Sequence, residues 1–541
     1  MWRGSVSVLA GGGDTGWLLA TGQYILEHGR LPQFDIFTWT STERPFICYQ
    51  WLFEVLCALL YRGGGLLAVA AVALSISAFL VLCALPLQWL RRGLPLALSF
   101  ALLAPALTPF WFFARPQLVT YLAAFFFLAI LERWRAAPAS KSIYFLPVIV
   151  LFWTNMHCFA LLGPLLIGAY LLFCRRERSL LYVFAFSFLA LFVTPFDVTT
   201  ILQSLNIFVH TDPTSCNELQ PLYLTRLLLD PANIYVFVAL TLLVIKHKNV
   251  PVVGLVISLT ALLAGLAVAR LQPLGVILSW PFVGLSLASF YEAASVKSTG
   301  AGGQKNDVVW FVASLLFGLI LSISRYPDEA AARRAYLGAA ETLQFVAGHL
   351  KRDSHIFNDT ISGSRLIFLQ GPPVYIDSRL FLFDAAFYKK WLQVINAQND
   401  DRTDLSAWRK FAASGDIDAV VLAHGLSFYQ TLLGASDWLL VMDDGQSSFW
   451  LADNPGNRAK LKAWAVDLER GTGLGLSGAA LANDTVAKAA KHLAVARTFF
   501  DQGDFDAAHR EALSSLHMLR SAGAQALLKR LECLIEGRPR K

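Results

Sequence analysis

GDTGWLLATGQYILEHGRLPQFDIFTWTSTERPFICYQWLFE, residues 13–54, decides how the rest of the chain is read. The stretch lies just ahead of the first segment able to cross a bilayer and carries acids, Asp14, Asp35, Glu43 and Glu54 among them, beside Trp17, Trp39 and Trp51. Nothing in it suits a lipid environment. Connectors of about forty residues are usually functional or disordered, and the aromatic content argues against disorder. The reading is a folded extramembrane loop that presents Asp14 at the mouth of a membrane-embedded cavity. Trp17, Gly22, Ile25, His28 and Gly29 follow at near-helical spacing, which predicts a short amphipathic helix along the membrane surface. Asp14 would stand at its start, where free backbone amides and the helix dipole favour a carboxylate. The plainer reading makes Asp14 a helix cap and Trp39, Trp51 and Tyr61 interfacial anchors.

Composition excludes an ordinary soluble protein: of 541 residues, 56% are hydrophobic and only 15% charged, where a soluble chain has about a quarter charged. The net charge of +7 comes from Lys and Arg clustered between apolar runs, where they set topology rather than bind nucleic acid. Seven scattered cysteines give neither a disulfide framework nor a metal-ligand spacing. Residues 1–13 would span about 20 Å as a helix, short of the roughly 30 Å hydrocarbon core. Either the amino terminus crosses without a preceding helix, or a first span precedes Met1 and translation starts further upstream.

Apolar segments of spanning length fall at 66–90, 94–112, 117–131, 179–196, 233–245, 250–269, 273–291 and 307–324. One more apolar stretch, 141–175, has basic clusters at both ends, Arg133, Arg135 and Lys141 before it and Arg175, Arg176 and Arg178 after it. Basic clusters prefer the cytoplasm, so both ends inside require a hairpin with Asn155 and His157 near its outer apex. The total is then about ten spans. Arg91, Arg92, Lys246, Lys248, Lys297 and Lys305 join the inner clusters, whereas the outer short loops hold only Arg115, Arg226 and Arg270. This asymmetry puts the first outer loop (1–64), the second large loop (197–231) and everything past residue 325 outside the cytoplasm.

The expected fold class is a polytopic α-helical membrane protein followed by an extracytoplasmic α/β domain and a C-terminal helical hairpin. Its domains are 1–325, 326–455 and 456–541. In the middle one, apolar runs at 355–357, 374–376, 419–422, 438–442 and 448–451 read as strands, with helices at 384–395 and 426–433 between them. HLAVARTFFDQGDFDAAHREALSSL, 492–516, resembles a tetratricopeptide helix pair. One repeat rarely stands alone, so it reads as a capping hairpin or as a partner-binding surface.

Several polar residues stand where chemistry is plausible. Asn155 and His157 in FWTNMHCFALLG interrupt a strongly apolar run, and such groups tend to face a polar cavity or pair with each other in the core. Arg115 in ARPQLVTYL and Arg270 in GLAVARLQPLG sit at outer ends of spans, suited to bidentate pairing with a phosphate or to snorkelling. Glu218 in CNELQPLYL shares the second large loop with Asp197, His210 and Asp212, a candidate base or ligand or a set of solvated charges.

In order along the first 455 residues, DTGWLLATGQYILEHGRLPQFDIFTWT, QWLFEVLCALLYRGG, ARPQLVTYL, FWTNMHCFALLG, NELQPL and FNDTISGSRLIFLQGPPVYIDSRL together resemble bacterial members of the GT-C superfamily, integral membrane glycosyltransferases of the cell envelope that use polyprenyl-phosphate-linked sugars. The resemblance implies inverting transfer of a sugar from a polyprenyl-phosphate donor to an extracytoplasmic glycan, lipid or protein acceptor, at the bacterial inner membrane. It maps a base or acceptor-orienting acid to Asp14 and a later-loop acid to Glu218. It places Trp17, Arg115, Asn155, His157 and Arg270 on the substrate side. No organic cofactor is implied, and members of the superfamily differ over a divalent cation. Leu18 stands where an Asp-x-x-Trp-His pattern would have histidine. Two other readings fit the same residues: a lipid or glycan transporter lined by these groups, and a non-catalytic assembly protein with a partner-binding tail.

Overall fold

The structure, a computed structural model, describes residues 13–83, 114–174, 177–202, 231–292, 336–337, 341–379, 382–396, 406–423, 426–433, 435, 437–443 and 446–464, with single positions at 496, 508 and 512. Expected spans at 94–112 and 307–324, and nearly all of the repeat-like tail, lie outside the described residues. Contacts divide the chain into two units. One comprises Met1–Gly11, Thr21–Leu31 and Ile47–Ala332; the other comprises Gly12–Ala20, Pro32–Phe46 and Arg333–Lys541.

Among the described residues, the regular elements of the first unit are helices. After α1 (Asp14–His28), which the spacing from Asp14 predicts, come α2 (Trp51–Cys83), α3 (Gln117–Ala136), α4 (Leu146–Met156), α5 (Leu162–Phe173), α6 (Arg178–Ala190), α7 (Pro231–Ile245), α8 (Val252–Ala267) and α9 (Gln272–Glu292). Among the described residues, two helices are long and apolar enough to cross a membrane, Trp51–Ser77 and Gln117–Ala136, and five shorter apolar ones accompany them. α4 and α5, of 11 and 12 residues, reach about 16–18 Å each, the short arms expected on either side of His157. Phe145, Phe152, Leu165, Leu172, Leu181 and Phe186 are half to two-thirds exposed on this group of helices. Large apolar side chains displayed together face hydrocarbon rather than water. Inside, Phe127 of α3 meets Trp153 edge-on at 5.9 Å, and Gln272 Nε2 donates to Asn233 Oδ1 at 3.0 Å, the kind of polar tie that joins helices in lipid.

α2 is kinked at Gly64 and Gly65, so a helical arm from Trp51 precedes the apolar run that begins at residue 66. Glu54, an acid that argues for loop in a one-dimensional reading, sits in the first turn of α2, fully buried, and accepts from Cys48 Sγ at 2.7 Å. α1 packs close enough here that a Cβ on Gly22 would lie 2.0 Å from the Glu54 carbonyl oxygen. Gly22→Ala is therefore expected to cost about 1–3 kcal/mol by overpacking, read as a lower unfolding midpoint in detergent. Gly63→Ala, where a Cβ meets nothing within 4 Å, is the control and should unfold as the wild type does.

The second unit is α/β. Its helices are α10 (Glu341–His349), α11 (Thr360–Phe368), α12 (Ala385–Ile395), α13 (Ser406–Ser414), α14 (Ser427–Leu433) and α15 (Pro455–Ala463); its strands are β1 (Ile356–Asn358), β2 (Ala419–Ala423), β3 (Trp438–Asp443) and β4 (Ser447–Ala452). The sheet runs β1-β2-β4-β3, with β1 and β2 parallel and the other pairs antiparallel. Local signals explain the helices: Asp359 caps α11 through the amides of Ile361 and Ser362, and Asp384 caps α12 through that of Phe387. The same Phe387 amide, with Arg44 beside it, holds the Asp384 carboxyl below its usual range.

Residues 374–376, expected as a strand, lie outside the sheet. Val374 bridges Thr38 in parallel, Trp39 N donates to Val374 O at 3.1 Å, and Thr40 Oγ1 donates to Tyr375 O at 2.6 Å. Asn358, the last residue of β1, holds the other edge, accepting from Tyr375 N and donating to Ile376 O. Trp39 stacks on His355 at 4.4 Å and donates to Ile356 O. Residues 32–46, from the middle of the opening loop, are thus built into the α/β unit.

Candidate functional site

In the second unit, Asp14 opens α1 and stays partly exposed, while Trp17, one turn on, is buried. The Trp17 indole N–H lies 3.4 Å from Asp14 Oδ1 and 3.1 Å from Ser378 Oγ. Ser378 is fixed in turn by Ser364 of α11, whose Oγ donates to it at 3.0 Å. Gly16 makes this approach feasible: a Cβ there would stand 2.1 Å from the Ser364 carbonyl oxygen. A carboxylate with a solvent-facing side and one oriented donor can take up a proton from an incoming hydroxyl.

Beneath Trp17 lies a fully buried guanidinium. Arg379 Nη2 is 2.7 Å from Asp35 Oδ1 and 2.6 Å from Asp377 Oδ2, and its Nε reaches the same Asp377 carboxylate at 3.0 Å. The rings of Phe37, Phe46 and Trp17 surround it, with centroids 5.1, 5.1 and 6.0 Å from Cζ. Asp35 also ties its own loop, accepting from the amides of Phe37 and Thr38 and from the Thr38 hydroxyl. Burial and the Asp35 charge push the Asp377 carboxyl up despite the guanidinium beside it. Burial works against the charged guanidinium, but the two acids outweigh it and keep Arg379 charged. Sequence reasoning missed this cluster. Its one signal is a pair of opposite charges, Asp377 and Arg379, set in an otherwise apolar run.

In the first unit, Asn155 uses its whole amide: Nδ2 donates to Leu151 O and Val193 O, both at 2.9 Å, and Oδ1 accepts from Trp51 Nε1 at 2.8 Å. That leaves one lone pair of Oδ1 for anything else. His157 occupies the extended break between α4 and the 3-10 turn Cys158–Leu161. Its Nδ1 is 2.6 Å from Thr120 Oγ1, and Trp153 Nε1 donates to the same hydroxyl at 2.8 Å. Arg270 lies in the 3-10 turn Ala269–Leu271 between α8 and α9. Arg115 stands partly buried at the entrance to α3. Glu218 lies outside the described residues. Among those described, no three His, Cys, Asp or Glu side chains converge as a metal-ligand set.

No family model matches the chain, and no curated protein matches it either. Solved structures do. The Archaeoglobus fulgidus oligosaccharyltransferase tethered by a disulfide to an acceptor peptide with the NVT sequon aligns over 84% of this chain and 72% of its own, with TM-score 0.50 and 10% identity. The chain has the GT-C fold. The oligosaccharyltransferase AglB from Archaeoglobus fulgidus, in complex with an inhibitory peptide and a dolichol-phosphate, aligns over the same shares, at TM-score 0.49 and 10% identity. ArnT from Cupriavidus metallidurans bound to undecaprenyl phosphate covers 83% of this chain and 95% of its own, at TM-score 0.45 and 12% identity. The resemblance carried by the quoted motifs thus holds at the level of the GT-C fold, across an identity too low for a sequence match.

Proposed function

We propose that this chain is a membrane glycosyltransferase, moving a sugar from a polyprenyl-phosphate carrier to an acceptor hydroxyl or amide on the outer face of a bacterial cytoplasmic membrane. The observation that carries this reading is the GT-C fold over 84% of the chain. Asp14 supports it as a partly exposed carboxylate with a fixed neighbour, Trp17. In the proposed reaction the acceptor attacks the anomeric carbon, Asp14 takes the acceptor's proton, and the carrier phosphate leaves with the electron pair of the broken C–O bond. A single displacement inverts the anomeric centre. Arg115 and Arg270 stabilise charge growing on the departing phosphate, where fixed cations help most, and Glu218 remains a candidate second acid. A phosphate departs readily on its own, so no general acid is assigned on that side.

The test is a comparison of lipid-linked sugars and surface glycans from cells with and without the gene. Loss of the gene should raise one polyprenyl-phosphate sugar and deplete one surface glycan, and a plasmid copy should reverse both. Identical profiles in both strains overturn the reading.

A further inference from the structure

The Thr120 hydroxyl stands between two ring nitrogens, 2.8 Å from Trp153 Nε1 and 2.6 Å from His157 Nδ1. All three side chains are buried, exposed by no more than 3%. An indole N–H only donates, a hydroxyl donates once and accepts twice, and a neutral imidazole has one nitrogen of each kind. Trp153 therefore takes one lone pair of Thr120 Oγ1. Among the described residues the Thr120 hydroxyl has one acceptor within reach for its own proton, the Nδ1 lone pair of His157. With the proton on Nδ1 instead, the hydroxyl would accept twice and bury its own O–H without an acceptor, the costly arrangement for a polar group in a dry interior.

We infer that Thr120 is a positioning residue that fixes His157 as the Nε2–H tautomer, so that the ring offers an N–H to an anionic phosphate oxygen. That the anion is the carrier's phosphate rests on the function proposed above; the tautomer does not. The only other polar atom within reach of the ring, among the described residues, is Cys158 Sγ at 4.0 Å from Nε2. A thiol is a weak partner, so Nε2–H is available to a stronger acceptor. His157 then acts as a donor. A phosphate site gains from this, because a histidine lone pair turned toward the anion would repel it. The full hydrogen-bonded order is Trp153 to Thr120 to His157 to phosphate, each proton pointing the same way.

The experiment uses the full chain in lipid nanodiscs, with 15N-labelled histidine and a His157→Gln sample to identify the His157 signals among the ten histidines. The wild type and Thr120→Ser should show His157 with its proton on Nε2, whereas Thr120→Val, which removes the donor to Nδ1, should lose that bias. Undecaprenyl phosphate is the binding probe. Thr120→Val should weaken its binding about tenfold, the scale of one hydrogen bond to a charged group, and Thr120→Ser should stay within about threefold of the wild type. Unfolding midpoints of both variants show that the fold is intact. A wild-type proton on Nδ1, or Thr120→Val binding the probe as well as the wild type does, overturns the inference. Should the wild type itself fail to bind any polyprenyl phosphate, it is the glycosyltransferase reading and the anion that fall, while the tautomer stands or falls on the nitrogen spectra alone.

Discussion

Arg379→Met is expected to destabilise the α/β unit by about 3–5 kcal/mol, the usual result of taking one partner from a buried ion pair. The guanidinium is wholly enclosed and is the counter-charge to two enclosed carboxylates, Asp35 and Asp377. Methionine fills the volume but leaves two like charges facing each other without water. Against a domain stability of about 5–15 kcal/mol, such a loss shows as a clearly lowered unfolding midpoint. Lysine should rescue only in part, since a single ammonium cannot reproduce the forked contact with both acids.

The loss should depend on pH with a definite sign. Burial raises Asp377 above its ordinary value of 3.8 even in the wild type. A carboxyl raised in the folded state contributes stability that is present below its unfolded value and lost as pH rises through its folded value. Removing Arg379 takes away the pull that opposes burial and pushes the folded value higher still. The deficit of Arg379→Met should therefore be greatest at neutral pH and shrink toward pH 4. Denaturant titrations followed by tryptophan emission, at several pH values, give the measurement; a deficit that does not change with pH would show that lost packing, not the carboxylate pair, is responsible.

Asp14→Asn should lower turnover by about 10²–10⁴, the ordinary contribution of a positioned base, while leaving KM near the wild-type value. The amide is nearly isosteric, and its oxygen can still face the Trp17 indole at the present 3.4 Å, so the fold and the binding of the carrier should survive. What is lost is the capacity to accept a proton, an interaction made only on the way to the transition state. Kinetics on the purified variant, beside its unfolding midpoint, separate the two. Turnover within about threefold of the wild type would remove Asp14 from the mechanism.

Much of the architecture is legible in local sequence because local rules produce it. The period from Asp14 to His28 gives α1, and Asp384 ahead of an amphipathic stretch gives α12. The apolar runs near 419, 438 and 448 become β2, β3 and β4 because each must be buried in a sheet. What escapes is whatever depends on partners far along the chain. Thr38 and Val374 lie 336 positions apart and share a bridge; no periodicity of either segment announces the other. The arm of α2 that opens at Trp51, ahead of the kink at Gly64 and Gly65, is hidden for a related reason: the buried Glu54 in its first turn is partnered by Cys48, which the local pattern does not announce. Thr120 stands in a quoted motif, ARPQLVTYL, yet as an ordinary threonine in an apolar helix it carries no mark of the two rings that meet at its hydroxyl.

The most direct test of sugar transfer is reconstitution. Purified full-length protein in proteoliposomes would be given a panel of radiolabelled polyprenyl-phosphate sugars with a membrane extract as the source of acceptors. One labelled sugar should move from the lipid to a new product with inverted anomeric configuration and release free polyprenyl phosphate, while the Asp14→Asn protein leaves the donor intact. If folded wild-type protein consumes none of the lipid-linked sugars from the cells that make it, this chain uses the GT-C fold for something other than transfer.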